Sequence, residues 1–368
     1  MAFIRTRKGR VKSVKPLGPG IDELRVELDE SPGTESKALL YPDLTGPARA
    51  GDVVLLNTTA VHLGLGTGGY HFVMAVAGGP DLDLAGPGHI MKLRYTPWQI
   101  RVLAAEEPDS PHHASLRDAD TLEGRPVIAL GLHSQLAPAA LAFKMEAGAA
   151  ARLAYCMTDG AALPLAFSQQ VRQLREQGLL DTTVTIGHAF GGELEAVNVW
   201  SGLLAAVHAG RADAVIIGMG PGVVGTETRW GTTALEQAQL LDAIARLQGR
   251  PIAVLRLSSA DPRPRHLGVS HHTLTSLGYL TYATCDVPLP VLPQEELREL
   301  IDWQLEESGI SLRHRIIRLE ARQVLDEAAR YKLKFRSMGR EATEDPLPFL
   351  AAAAAGLHAA RLFKQTCG

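Results

Sequence analysis

Three side chains suited to proton transfer stand at the ends of apolar runs: His133, Asp159 and His188. A fourth, Glu195, follows His188 within the segment T-T-V-T-I-G-H-A-F-G-G-E-L-E-A-V-N-V, residues 182–199. A histidine works as a general acid or base when its pKa lies near working pH and a partner fixes its tautomer. Asp159 could orient His188, with His133 or Glu195 as the second proton carrier. The competing reading is that each histidine caps a buried strand by hydrogen-bonding its backbone. Gly191 and Gly192 sit between His188 and an expected helix from Leu194 to Ala209. Glu193 would then offset the positive helix end. Glu195 and Asn198 would share one face of a buried helix and so need polar partners.

A second group could hold an anion. Gly220, Gly222, Gly225 and Thr226 belong to G-M-G-P-G-V-V-G-T, directly after another apolar run. Three glycines spaced G-x-G-x-x-G are a weak signal alone. Here T-E-T-R-W-G separates them from the next helix and no acidic residue ends the next strand, which argues against a dinucleotide fingerprint. No G-K-[ST] follows, so a Walker A loop is excluded by pattern. A backbone nest for phosphate or carboxylate fits the glycines. Arg229, Arg263 and Arg265 could supply matching charge, and His271 and His272 lie in the same polar loop as the last two. Their alternative is a solvated basic loop.

Two sharper readings find less support. Ser134, Asp159 and His188 follow the chain order of α/β-hydrolase triads, but the G-x-S-x-G elbow is missing. A zinc or manganese site from His133, Asp159, His188 and His271 or His272 is chemically sensible. No close-spaced ligand pair supports it, so no metal ligand is assigned, and no motif names a cofactor. His112 and His113 are adjacent in a proline-bounded loop and read as solvated.

These residues need a frame, and the hydrophobic pattern provides one. Residues 1–105 carry short β-rich runs separated by clusters such as P-L-G-P-G and E-S-P-G-T, which suggests a small barrel-like all-β domain. In residues 106–285 apolar strands alternate with helices that stop at glycine, the rhythm of βαβ units. A Rossmann-like three-layer domain with about five parallel strands follows from this rhythm. Right-handed crossovers bring all strand ends to one edge. His133, His188, His266, His271 and His272, five of thirteen histidines, fall in the segments after strands, so a site is expected there. Leu280–Val291, broken by Pro288 and Pro290, reads as an edge strand or arm. Residues 286–368 read as extra C-terminal helices: Gln294–Glu307, Leu312–Leu333 and Pro348–Phe363. They could cover the sheet or pair with a second subunit as a homodimer.

Composition narrows the classes further. Hydrophobic residues make up 46% and charged residues 21% of 368, an ordinary globular balance. A net charge of -3 gives no field to recruit nucleic acid or an acidic membrane. Cys156, Cys285 and Cys367 form no C-x-x-C pair and read as inert thiols in a reducing compartment. No apolar run is long enough to span a bilayer and the N-terminus lacks a signal-peptide core, so a cytoplasmic protein is expected.

Several long motifs agree in order with one family. They are Y-T-P-W-Q (Tyr95–Gln99), D-S-P-H-H, M-T-D-G-A-A-L-P-L-A-F-S (Met157–Ser168), G-H-A-F-G-G-E-L-E-A-V-N-V, G-M-G-P-G-V-V-G-T, A-D-P-R-P-R-H-L-G-V-S-H-H-T-L and S-M-G-R (Ser337–Arg340). Over nearly its whole length the chain resembles an uncharacterised bacterial family, domain-of-unknown-function family 3866. The resemblance implies a bacterial protein of this domain layout and brings no activity or catalytic residue with it. From the residues, the expected function is an enzyme acting on a small anionic metabolite by hydrolysis or group transfer. A non-catalytic ligand-binding protein and a structural oligomer are the alternatives.

Overall fold

The computed structural model of the chain describes residues 3–83 and 85–367, without the side chain of Cys367. Two compact units result. One runs to Pro87 and takes in Leu93–Arg101; the other holds Gly88–Lys92 and the chain from Val102 onward.

The first unit is built on a closed barrel of β1 (Thr6–Gly18), β2 (Ile21–Leu28), β3 (Glu35–Leu40), β4 (Val53–Asn57) and β5 (Tyr70–Val76). The order around it is β1-β2-β3-β5-β4. Along β2, Leu24, Val26 and Leu28 are buried while Arg25 and Glu27 alternate with them, the period of a strand with one wet face. The buried set, with Val11, Leu40, Val54 and Leu56, is the barrel's own core. Closure leaves no strand edge to pair with another chain.

The second unit carries a sheet of β6 (Pro126–Ala129), β7 (Leu153–Thr158), β8 (Thr182–Ile186), β9 (Leu194–Ala196), β10 (Ala214–Met219), β11 (Arg250–Ala253), β12 (Asp286–Pro290) and β13 (Arg315–Leu319). Every pairing in it is parallel, and the order is β9-β8-β7-β10-β6-β11-β12-β13. Every residue of β7, β8 and β10 is buried, as parallel strands covered on both faces require. The helices used below are α1 (Leu136–Ala147), α2 (Gln169–Glu176), α3 (Val199–Leu204), α4 (Glu236–Arg246), α5 (His271–Thr275), α6 (Glu295–Glu307) and α7 (Leu347–Cys367). Helix α7 is alanine-rich because it is enclosed: Ala351–Ala355 are fully buried, and the helix packs on α1 and β12.

Four expectations are corrected. The sheet has eight strands rather than five. Residues 194–209 do not form one helix: 194–196 is edge strand β9, and α3 begins only at Val199, continuing as a π-helical turn over Ala205–Ala209. Residues 312–333 are not one helix either, since Arg315–Leu319 is β13 and the helix after it is Arg322–Glu327. Pro288 and Pro290 lie in an interior strand, not at an edge. The ladder from β12 to β11 is a single pair, Ile252 with Asp286, so both prolines lie beyond the point where that side needs N–H donors.

The strand order fixes where a ligand crevice can open. From β7 the chain moves toward β8, and from its neighbour β10 it moves the opposite way, to β11. The adjacent strands β6 and β11 diverge likewise. Open parallel sheets place ligands outside the carboxyl ends of strands at such switch points.

Candidate functional site

The segment G-H-A-F-G-G-E turns out to be a tight return between parallel neighbours. A parallel connection usually takes a dozen residues or more. Here residues 187–193 carry the chain back along β8, and the threonines of that strand hold it. Gly192 N–H donates to Thr185 Oγ1 at 3.0 Å and Glu193 N–H to Thr183 Oγ1 at 3.2 Å. A Cβ on Gly192 would lie 2.8 Å from both Leu194 O and Thr185 N, so only glycine fits. Gly187 takes φ 64°, and a Cβ there would meet the Asp159 carboxylate. Glu193 pairs with Arg175 and accepts from Thr183 N–H; it is not in a first helical turn.

Glu195 is likewise taken up by structure. It accepts from Lys92 Nζ at 2.6 Å, Thr185 Oγ1 at 2.7 Å and Gly191 N–H at 2.7 Å. Lys92 is 1% exposed and also donates to the carbonyls of Thr185 and Ala189. Burial pushes the lysine down and the glutamate up, and their mutual attraction opposes both shifts. Asn198 is the N-cap of α3, accepting from Ser201 N–H at 3.0 Å, rather than a buried helix-face residue.

His133 uses both ring nitrogens inside the protein: Nδ1 lies 3.2 Å from Tyr155 Oη and Nε2 lies 2.7 Å from Ser168 Oγ. Ser168 is also the N-cap of α2. Burial lowers His133 to about 4, so the neutral ring ties the end of β6 to the start of α2. Ser134 meets Ser337 at 2.9 Å. Asp159, at the end of β7, accepts from the backbone N–H of His188 at 2.9 Å. Beside it Thr158 Oγ1 donates to Glu236 at 2.8 Å. Burial raises the Glu236 carboxyl to about 7, with Thr158 opposing and Asp159 adding to the rise. Asp159, His188 and Glu236 thus gather at the β7 end of the β7/β10 switch point.

Three arginines and three histidines line a cavity of about 160 Å³. Arg256, just after β11, lines it with Arg263 and Arg265 from the following loop and His266, His271 and His272. Val223, Val224 and Gly225, from the segment after β10, form another wall. Asp261, with its side chain fully buried, holds the arginines in place. It accepts from Arg263 Nε and a terminal nitrogen, both at 2.9 Å, and from Arg340 at 3.1 Å, with Arg256 at 3.6 Å. The Arg263 hydrogen bonds hold its carboxyl well below the usual range. Burial lowers Arg256 to about 10, which leaves it charged at neutral pH. Burial, reinforced by Arg256, brings His266 down to about 3; burial and His271 bring His272 to about 4.

The three imidazoles form one cluster. Ring centroids are 3.9 Å apart for His271 and His272, 5.0 Å for His266 and His271, and 5.5 Å for His266 and His272. His266 Nδ1 lies 2.8 Å from Ser270 Oγ. His271 Nε2 and His272 Nδ1 are buried with no hydrogen-bond partner among the described residues.

With the geometry in view, the sequence comparison is decisive on kinship. A family model described as "Protein of unknown function (DUF3866)" matches residues 37–356. The chain belongs to that family. No curated protein and no solved structure matches it. Among the described residues, no helix is long and apolar enough to cross a membrane.

The motifs of this DUF3866 chain therefore divide between frame and pocket. Gly225, Arg263, Arg265, His271 and His272, all expected to bind ligand, line the same cavity. Gly220 packs against Ala162 and Met157, Gly222 faces Ala161, and Thr226 is bonded to Thr228 and Gly231. Gly191 and Gly192 serve the β8–β9 return. Arg256, Asp261 and Glu236 were not singled out by spacing. For Asp261 a signal existed: an acid flanked by arginines in A-D-P-R-P-R. The metal set of His133, Asp159, His188 and a loop histidine does not assemble; the group that does is His266, His271 and His272.

Proposed function

We propose that this chain binds a small anion, a carboxylate or phosphate, in the cavity beside β10 and β11, and that hydrolysis or group transfer on that anion is its activity. One observation carries the reading: three guanidiniums and three imidazoles converge on a cavity of about 160 Å³ at a sheet edge. A volume of that size suits a small metabolite rather than a polymer. Arginine forks match carboxylate and phosphate oxygens two at a time, and a partly enclosed site strengthens that attraction. Asp261 orients Arg263 and Arg340 by direct hydrogen bonds, so the charge is ordered before a ligand arrives.

Acid–base chemistry in this reading falls to Asp159, His188 and Glu236. Glu236 opens α4 shortly after Thr232, which lines the cavity, and its carboxyl near 7 exchanges a proton at neutral pH. A strongly shifted carboxyl near a cleft is a functional pointer. His133 and Glu195 are spent on structural bonds and are left out of this role.

Isothermal titration of inorganic phosphate into the full chain tests the binding. Arg265→Ala removes a partly exposed guanidinium that pairs with the exposed Glu227. Phosphate binding that weakens about tenfold or more in this variant, and falls with added salt, supports the reading. Equal binding by both proteins, or none by the wild type, overturns it.

A further inference from the structure

We propose that His266, His271 and His272 form a three-imidazole site for one divalent transition metal, zinc by preference, with an open coordination position on the arginine-lined cavity. One nitrogen from each ring lies within 4.8 Å of the other two. Around zinc, imidazole nitrogens sit at about 2.0–2.1 Å, hence about 3.4 Å from one another. Ring rotation has to close a gap of at most about 1.4 Å to reach that geometry.

Packing alone is a poor account of the cluster. His271 Nε2 and His272 Nδ1 are buried and make no hydrogen bond among the described residues. A buried polar atom without a partner costs about 1–3 kcal/mol. Two such atoms on rings 3.9 Å apart describe a shared acceptor, and a metal ion satisfies both lone pairs together. The third ring is already oriented. Ser270 occupies His266 Nδ1, leaving Nε2 as its ligand atom, the outer-shell arrangement that fixes a metal-binding histidine's tautomer.

Three nitrogens without cysteine or carboxylate select zinc, copper, nickel or iron over magnesium or calcium. Three protein ligands with a fourth position open is the pattern of a catalytic rather than a structural zinc site. The arginines bear on the same point. Arg256, Arg263 and Arg265 would repel a bare cation, and Asp261 offsets part of that charge. An anion in the fourth position would neutralise the rest, bound at once to metal and guanidinium. That last step rests on the anion pocket proposed above; the three-histidine site does not.

The test uses the full chain purified without a histidine tag or metal resin, stripped with a chelator and titrated with Zn²⁺ and Co²⁺. The expected result is one metal per chain and the visible absorption of four- or five-coordinate cobalt. His271→Ala and His272→Gln, each checked for native circular dichroism, should weaken binding by at least about 100-fold, beyond what losing an outer-shell partner does. No binding by the wild type, six-coordinate cobalt, or unchanged affinity in both folded variants overturns the site. If a variant does not fold, the wild-type cobalt spectrum decides alone. Inorganic phosphate is then added to wild-type and Arg265→Ala cobalt proteins. Metal binding with no phosphate response keeps the metal site and sinks the anion pocket. Phosphate binding to a metal-free protein that takes up no metal does the reverse.

Discussion

His271 and His272 are neighbours in sequence, yet their ring centroids lie 3.9 Å apart and each buries one nitrogen without a hydrogen-bond partner among the described residues. Adjacent residues at a helix start usually diverge. Here Ser270 precedes α5 in extended conformation and both rings meet His266, which the short helix Pro264–His266 brings back over them. The charged neighbours Arg256, Arg263 and Arg265 line the same concavity as the three rings.

Asp261 should be the keystone of that arrangement. It accepts hydrogen bonds from Arg263 and Arg340 and forms an ion pair with Arg256, so Asp261→Asn removes the negative charge that three guanidiniums share. A loss of about 3 kcal/mol in urea unfolding is expected. Its depressed carboxyl also sets an acid limb: the stability it supplies is present above the ordinary aspartate value of 3.8 and is lost as pH falls below it. Wild type and Asp261→Asn should therefore converge in stability as pH falls below that value, and a constant gap would contradict the assignment.

Glu236 should act with the opposite sign. Its folded value of about 7 lies above the ordinary 4.5, so the unfolded chain ionises first as pH rises. Stability should fall across that window, and Glu236→Gln should abolish the fall. At pH 8 the variant is expected to be more stable by about 2 kcal/mol, with no difference at pH 4. Melting curves at the two pH values measure it; a variant less stable at both would refute the burial account.

Lys92 and Gly192 test the claim that G-H-A-F-G-G-E is scaffold. Lys92→Met strands the Glu195 carboxylate and should cost about 3 kcal/mol. Gly192→Ala forces a methyl against Leu194 O and Thr185 N and should cost about 1–3 kcal/mol. Were the segment a ligand cradle instead, these changes would remove phosphate or metal binding while leaving denaturation midpoints in place.

The parts of the fold legible in sequence are those set by local pattern. Apolar runs such as Leu153–Thr158 and Ala214–Met219, with glycine-ended helices between them, announce buried parallel strands. What was illegible depends on partners far along the chain. Leu194–Ala196 reads as helix because apolar residues continue past it, but pairing with β8 and the Lys92–Glu195 contact make it a strand. Arg315–Leu319, R-I-I-R-L, shows no strand alternation between its helical flanks and becomes β13 only beside β12. The same limit applies to the site. His271, His272, Arg263 and Arg265 stand out in one loop, whereas Arg256, Asp261 and the turn at Val223–Gly225 join them only after folding. His133 and Glu195 look catalytic by type, and only the folded chain shows the hydrogen bonds that each side chain makes within the protein.

The central claim is that the three-histidine, three-arginine cavity is where this chain meets its ligand. The most direct measurement is an anomalous difference map at the zinc edge from crystals of the full chain grown with Zn²⁺ and phosphate. The account predicts one strong peak bounded by His266, His271 and His272, with phosphate density between it and Arg265. No peak there, or zinc only at exposed histidines such as His89, would contradict it.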